Sequence, residues 1–285
     1  MDKYSFKKKT KITFITAFFS PDRNQYKSTE FYFEMFEKML STRINVVLYL
    51  DNKYIDKGKE LISRYSNLDV IYNSFEKLKE EVLDHRYNIK ESRLTSFPCG
   101  KEEDFILPGN RNFSKDTLDY YYIQLSKLYH LDLYSKTTKK NESHIAWIDF
   151  GIFYLFKDVV YATNVLKTIS RLIIPKGVIL APGCRDWDIT MHYDYYKDRL
   201  FDNIVWFFCG SFLIGDINMF NRLYDKQKTI FIENLPKITW EVNYWSMIYN
   251  SYSSDNSSDD KFIVYGNNEH NESMLYRLVN YFYKL

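Results

Sequence analysis

Asp149 closes the run His144-Ile145-Ala146-Trp147-Ile148-Asp149-Phe150-Gly151. The run reads as a short buried strand that carries a carboxylate to its C-terminal tip and then breaks at glycine. In open α/β sheets, ligands bind just outside the carboxyl ends of the strands, above all where the strand order reverses. An aspartate there can hold a hard cation, and the cation can hold a diphosphate. The same residue would serve equally well as a cap for the next helix or turn. A second acid, Asp51, ends the apolar run INVVLYL. A third, Glu241, lies in the stretch TWEVNYWS, in the first turn of an expected helix, where a carboxylate suits the positive end of the helix dipole. The rings around it, Trp240, Tyr244 and Trp245, would form a sugar-stacking wall or simply pack the core.

Placing these acids requires a particular order of elements. Residues 11–20 (KITFITAFFS) are β-branched and aromatic and end at Ser-Pro-Asp, which predicts a central strand covered on both faces. Helical spacing follows over 29–40, a second strand over 44–50, a helix over 55–65 and a third strand over 68–72. This β-α-β-α-β order with short connections predicts an α/β fold with a mostly parallel twisted sheet and helices on both faces. Residues 74–85 are helical and charged, and 88–112 read as a long functional or capping loop. A helix over 116–134 has Leu118, Tyr122, Leu125, Leu128 and Tyr129 on its inner face, with Lys127 one residue off that stripe. After the Asp149 strand come a helix at 159–169 and a strand at 176–180. Residues 204–215 (IVWFFCGSFLIG) read as strand–turn–strand, 216–232 as helix, and a helix starts near Glu241. A short strand at 262–265 and a helix at 274–283 close the chain. Without an internal repeat or a separating linker, residues 1–285 read as one domain, with halves at about 11–150 and 151–285.

Composition narrows the function classes. The 285 residues are 45% hydrophobic and 27% charged, ordinary for a globular protein. A formal net charge of +2 gives no footing for nucleic acid or an anionic membrane. The 26 tyrosines and 22 phenylalanines bring aromatics to 19%, which suits stacking on sugars or bases, or A/T-rich codons, and is compatible with a homo-oligomer. Cys99, Cys184 and Cys209 are scattered without C-x-x-C spacing, which argues against a zinc knuckle, a redox dithiol or a disulfide scaffold. The apolar run at 12–19 is too short for a signal peptide or a membrane span, so a cytoplasmic protein is expected.

Taken as a set, ITFITAFF, YYIQLSKL, AWIDFGI, CGSFLIG and TWEVNYWS resemble the HtrL/YibB-type (WlaTC-like) family over roughly residues 11–275. That family is itself similar to the GT-A fold nucleotide-sugar glycosyltransferases of the glycogenin-like kind. The resemblance implies a Rossmann-like GT-A sheet with a small C-terminal acceptor-side lobe. It places Asp149 at the last position of a D-x-D metal motif. Trp147 stands at the first position, and this W-x-D departure touches the expected need for Mn²⁺ or Mg²⁺. It makes His270 the late histidine of that metal site. Lys127 becomes a cation beside the departing diphosphate, where growing negative charge is best stabilised. Thr16, Ala17 and Phe18 become the strand tip that holds uracil and ribose, with Asp51 near the nucleoside and Phe18 or Phe19 against the base. Gly210 and Ser211 become a turn the sugar ring approaches closely. Trp147, Ile148, Trp240, Asn243 and Trp245 complete the donor pocket. Glu241 would act as general base or steady an oxocarbenium-like state.

The expectation is therefore a metal-dependent glycosyltransferase. It would move a hexose from a UDP-sugar, UDP-glucose among the candidates, to a glycan or glycosylated-protein acceptor. Lipooligosaccharide and galactosyl-hydroxylysine of collagen-like chains are acceptors of that type, and the resemblance leans towards a retaining outcome. The rival expectation is a non-catalytic glycan-binding or assembly protein, which the Trp147 departure favours. A nucleotidyltransferase would want a Gly-rich basic loop after the first strand, and SPDRNQYK matches that poorly.

Overall fold

The computed structural model describes residues 12–20, 27–83, 105–138, 142–184, 193, 195–253, 259–266 and 269–283. Cys99 and most of the expected loop at 88–112 lie outside the described residues.

The chain opens on β1 (Thr13–Phe18), α1 (Thr29–Leu40), β2 (Asn45–Asp51), α2 (Ile55–Arg64) and β3 (Leu68–Asn73). It continues through α3 (Phe75–Leu83), α4 (Leu118–Thr137), β4 (His144–Ile148), α5 (Val159–Ile169) and β5 (Val178–Pro182). It closes with β6 (Phe212–Asp216), α6 (Ile217–Asn234), α7 (Glu241–Ser253), β7 (Lys261–Tyr265) and α8 (Ser273–Tyr283). Most of these elements fall within a few residues of the expected ones, because each is a periodic apolar segment bounded by a cap or a breaker. Ser28, for example, accepts from Phe31 N at the start of α1, and Thr117 accepts from Tyr120 N at the start of α4.

The strands form one mixed, mostly parallel seven-stranded sheet in the order β3-β2-β1-β4-β6-β5-β7. β1, β2, β3 and β4 run parallel, β6 runs antiparallel to β4 and β5, and β7 runs parallel to β5. The chain builds outward from β1 to β3, then returns to place β4 on the other side of β1, so the strand order reverses between β1 and β4. The C-terminal tips of β1–β4, β5 and β7 thus share one edge with the start of β6. Both halves of the chain contribute to this single sheet.

Alternate strand residues feed two apolar layers. Ile15, Val47, Tyr49, Ile145, Trp147 and Leu213 face α3, α4, α6 and α7. Phe14, Val46, Leu48, Ala146, Ile148 and Phe212 face α1, α2, α5 and α8. This Rossmann-like α/β arrangement, with helices on both faces of the sheet, bears out the expected fold class. No helix among the described residues is long and apolar enough to cross a membrane.

The expected strand–turn–strand at 204–215 is only half present. β6 forms, but the segment before it meets only the end of β5, through the bridge between Gly183 and Phe208 and the backbone bonds that flank it. Its earlier backbone groups are engaged elsewhere. Asn243 accepts from Val205 N at 2.9 Å, and Phe207 N turns back to Val205 O.

Candidate active site

Four separated segments converge at the edge where β4 ends. α4 is enclosed by the sheet, α3, α6 and α7, so it is buried nearly all round rather than along one stripe. Lys127, one residue off the expected stripe, is therefore 3% exposed rather than facing solvent. Its Nζ donates to Glu241 Oε1 at 3.0 Å and to Gly210 O at 2.9 Å, and it lies 3.2 Å from Asp149 Oδ1. Burial alone would pull the lysine pKa down. The Asp149 and Glu241 carboxylates outweigh it, so the pKa ends above the ordinary lysine value and the ammonium stays charged.

β4 delivers Asp149 to its tip. The Asp149 backbone N–H donates to Ser211 O at 3.0 Å, tying this tip to the start of β6. Trp147, held in the sheet beside Ile15 and Leu213, donates its indole N–H to Asp149 Oδ1 at 2.7 Å. Trp147 thus orients the Asp149 carboxylate. The Asp149 side chain remains 34% exposed. Glu241, the first residue of α7, is nearly buried and points its carboxylate at Lys127.

Gly210 has a specific reason to be glycine. A Cβ there would lie 2.5 Å from Glu241 Oε1 and 3.0 Å from Val242 Cγ1. The close approach that glycine permits is that of the Glu241 carboxylate, where the expectation was a sugar ring.

The structure thus brings Lys127, Asp149, Glu241, Trp147, Gly210 and Ser211 together. One ammonium faces two carboxylates, so the cluster carries a formal charge of −1. Such a cluster favours cationic character in whatever reacts beside it. It opposes a bare diphosphate unless a cation accompanies it.

Other expected residues sit differently. Phe18 is locked among Phe150, Phe33, Tyr54 and Tyr32, with centroid distances of 4.5 to 5.9 Å, and offers no open face to a base. Phe19 is buried against His130 and Phe75. Thr16 is fully buried near the point of order reversal, and its hydroxyl lacks a hydrogen-bond partner among the described residues. Ala17 beside it is half-buried, and Ile148 is fully buried in β4. Asp51 caps the turn after β2 by accepting from Lys53 N at 3.2 Å, and burial raises its pKa. Trp240, Tyr244 and Trp245 are core side chains, not a wall. Asn243 spends its amide on the chain itself, donating to Leu200 O at 2.7 Å, Asn203 O at 2.8 Å and Thr239 Oγ1 at 2.8 Å.

His270 gathers with Cys184 and Cys209 rather than with Asp149. Their donor atoms lie within 4.8 Å of one another, and this is the one such group of three His, Cys, Asp or Glu side chains among the described residues. Among the described residues, no group of three such side chains includes Asp149. Sequence reasoning also passed over Tyr154, a half-exposed ring just past Gly151. Burial, and then the Asp149 charge, raise the pKa of its phenol. No spacing rule marks an aromatic in a short turn of this kind.

No family model matches the chain, and no curated protein matches it. Solved structures do. Mouse xyloside xylosyltransferase 1 in its apo form is 9% identical, with 89% of this chain and 84% of that chain covered at a TM-score of 0.45. A 4-diphosphocytidyl-2C-methyl-D-erythritol synthase from Anaerococcus prevotii is 11% identical, with 97% of each chain covered at a TM-score of 0.39. Both likenesses are loose, so the reading of the site rests on its own residues.

Proposed function

We propose that the protein is a glycosyltransferase that moves a hexose from a UDP-sugar to a glycan or glycosylated-protein acceptor in the cytosol. The observation that carries this reading is the buried Lys127 ammonium held between Asp149, Glu241 and Gly210 O at the order-reversing edge of the sheet. The sequence resemblance to HtrL/YibB-type proteins supports the same class.

In this reading the departing diphosphate lies over Asp149 and Lys127. Asp149 would hold Mn²⁺ or Mg²⁺ jointly with the donor phosphates, as hard cations do when they take one or two carboxylates. The bound cation would supply positive charge that the cluster, at a formal −1, lacks. Lys127 fixes both carboxylates and offsets negative charge that grows on the leaving group. Glu241 presents a carboxylate to the anomeric carbon or to the acceptor hydroxyl, where an oxocarbenium-like state gains from negative charge. Trp147 keeps Asp149 in one orientation.

Thermal unfolding with a panel of UDP-sugars, with and without Mn²⁺, tests the donor class. A donor at ~100 times its dissociation constant adds about 2.7 kcal/mol of stability. Stabilisation by one UDP-sugar that requires Mn²⁺ is the expected result. No response to any of them would move the weight to the second reading, a glycan-binding or assembly protein, which Trp147 in place of the first acid favours.

A further inference from the structure

The loop after β7 and the end of β5 bring together three soft or borderline donors that the transfer reaction leaves unused. Cys184 lies just past the end of β5 and Cys209 lies three residues before β6 begins. Their backbones are pinned to each other's segments: Cys184 N donates to Phe207 O at 2.9 Å, and Cys209 N donates to Pro182 O at 2.8 Å. With the bridge between Gly183 and Phe208, these bonds make a short antiparallel ladder that aims both thiols to one side. The two sulfurs are 3.0 Å apart. His270, exposed on the loop after β7, brings a ring nitrogen within 4.8 Å of both. Its ring stands edge-on against Trp206 at 5.0 Å.

We infer that Cys184, Cys209 and His270 form a binding site for a thiophilic divalent cation, with Zn²⁺ as its probe. Zn–S bonds of about 2.3 Å and a Zn–N bond of about 2.0 Å put tetrahedral donors roughly 3.5–3.8 Å apart. The observed spread fits that geometry after the sulfurs open by less than about 1 Å. Three protein ligands with an exposed histidine leave the fourth position to water or an added ligand. Each thiol releases its proton to solvent as the cation binds, so no oxidant or reductant is needed. Sulfur and imidazole donors select this class of cation over the oxygen-seeking Mn²⁺ or Mg²⁺ expected at Asp149. The two sites therefore differ in preference as well as position.

The test is competition for Zn²⁺ between the reduced full chain and a chromophoric chelator, repeated with Cys184→Ser and with His270→Ala. Cobalt substitution serves as a second readout, because thiolate ligation gives a charge-transfer band in the near ultraviolet. One high-affinity Zn²⁺ per chain is expected, with loss of at least about tenfold in affinity in each variant. The cobalt band should disappear in Cys184→Ser, while Mn²⁺-dependent UDP-sugar turnover in that variant stays unchanged. His270→Ala changes an exposed side chain, so it keeps the test valid if Cys184→Ser folds poorly. Equal Zn²⁺ affinity in the wild type and His270→Ala would overturn the site. So would a fully reduced wild type that binds no Zn²⁺, the outcome expected if the two sulfurs serve only as a disulfide pair.

Discussion

Two polar constellations share one edge of the sheet and one tripeptide, Cys209-Gly210-Ser211, yet they are opposite in kind. On the β4 side, Gly210 O and Ser211 O receive Lys127 and the Asp149 N–H in a cluster of full charges. On the β5 side, Cys209 meets Cys184 and an exposed imidazole. β6 lies between β4 and β5 in the sheet, so consecutive residues at its start feed two neighbours. A single turn can thus serve a hard, charged site and a soft one, provided that each is completed by a different helix or loop. α4 and α7 complete the first, and the loop after β7 completes the second.

The largest effect should come from removing the ammonium. Lys127→Met leaves two carboxylates facing each other without a cation, and breaking a buried pair in this way costs about 3–5 kcal/mol. Denaturant unfolding measures it, and a loss below about 1 kcal/mol would mean the cluster is solvated rather than buried. Zn²⁺ binding by the folded fraction should be unaffected, which separates the two sites. Next comes Gly210→Ala, whose methyl group meets a Glu241 carboxylate pinned by Lys127. Overpacking there should cost about 1–3 kcal/mol. A neutral result would show that Glu241 can swing away from Lys127 freely.

The smallest effect depends on pH and concerns His130, three residues beyond Lys127 on the same helix. Lys127 has carboxylate partners and stays charged. His130 is stacked with Phe19 at 5.8 Å and Trp147 at 6.2 Å and lies tilted against Tyr49 at 4.4 Å. Burial, opposed weakly by the Ser126 backbone, drives its pKa down to about 3 from 6.5. With a depressed folded pKa, His130 leaves stability intact above 6.5 and erodes it as pH falls toward 3, because the unfolded chain takes the proton first. Its share of the loss between pH 7 and pH 5 is about 2 kcal/mol. His130→Phe should flatten that acid-side slope in urea unfolding while leaving neutral-pH stability nearly unchanged. An undiminished slope would assign the acid sensitivity to other groups.

How far the sequence carried these arguments differs between the two regions. β1, β2, α1 and α5 are legible because strong periodicity coincides with breakers and caps, and the Asp149 tip follows from strand position alone. Lys127 is less legible. Helical spacing placed it beside the apolar stripe, but its burial depends on α3, α6 and α7 closing around α4, which is tertiary information. The resemblance placed Trp245 and Asn243 in the donor pocket. Trp245 is instead buried against Phe208, and the Asn243 amide ties α7 to residues 200–205. The Cys184, Cys209 and His270 group was invisible for a different reason. Its members come from three segments whose proximity is set by strand order, so no local spacing encodes it.

The central claim is that Glu241, Asp149 and Lys127 form one transfer centre. The most direct measurement is free UDP released from a turned-over UDP-sugar, with Mn²⁺ present, by the wild type and by Glu241→Gln. The variant keeps the shape of the side chain while removing its charge, and equal unfolding midpoints would establish that both chains are folded. Glu241→Gln should release UDP at least about a hundredfold more slowly than the wild type. A rate equal to the wild type would contradict it and leave the charged cluster as a purely structural pin between α4, β4 and α7.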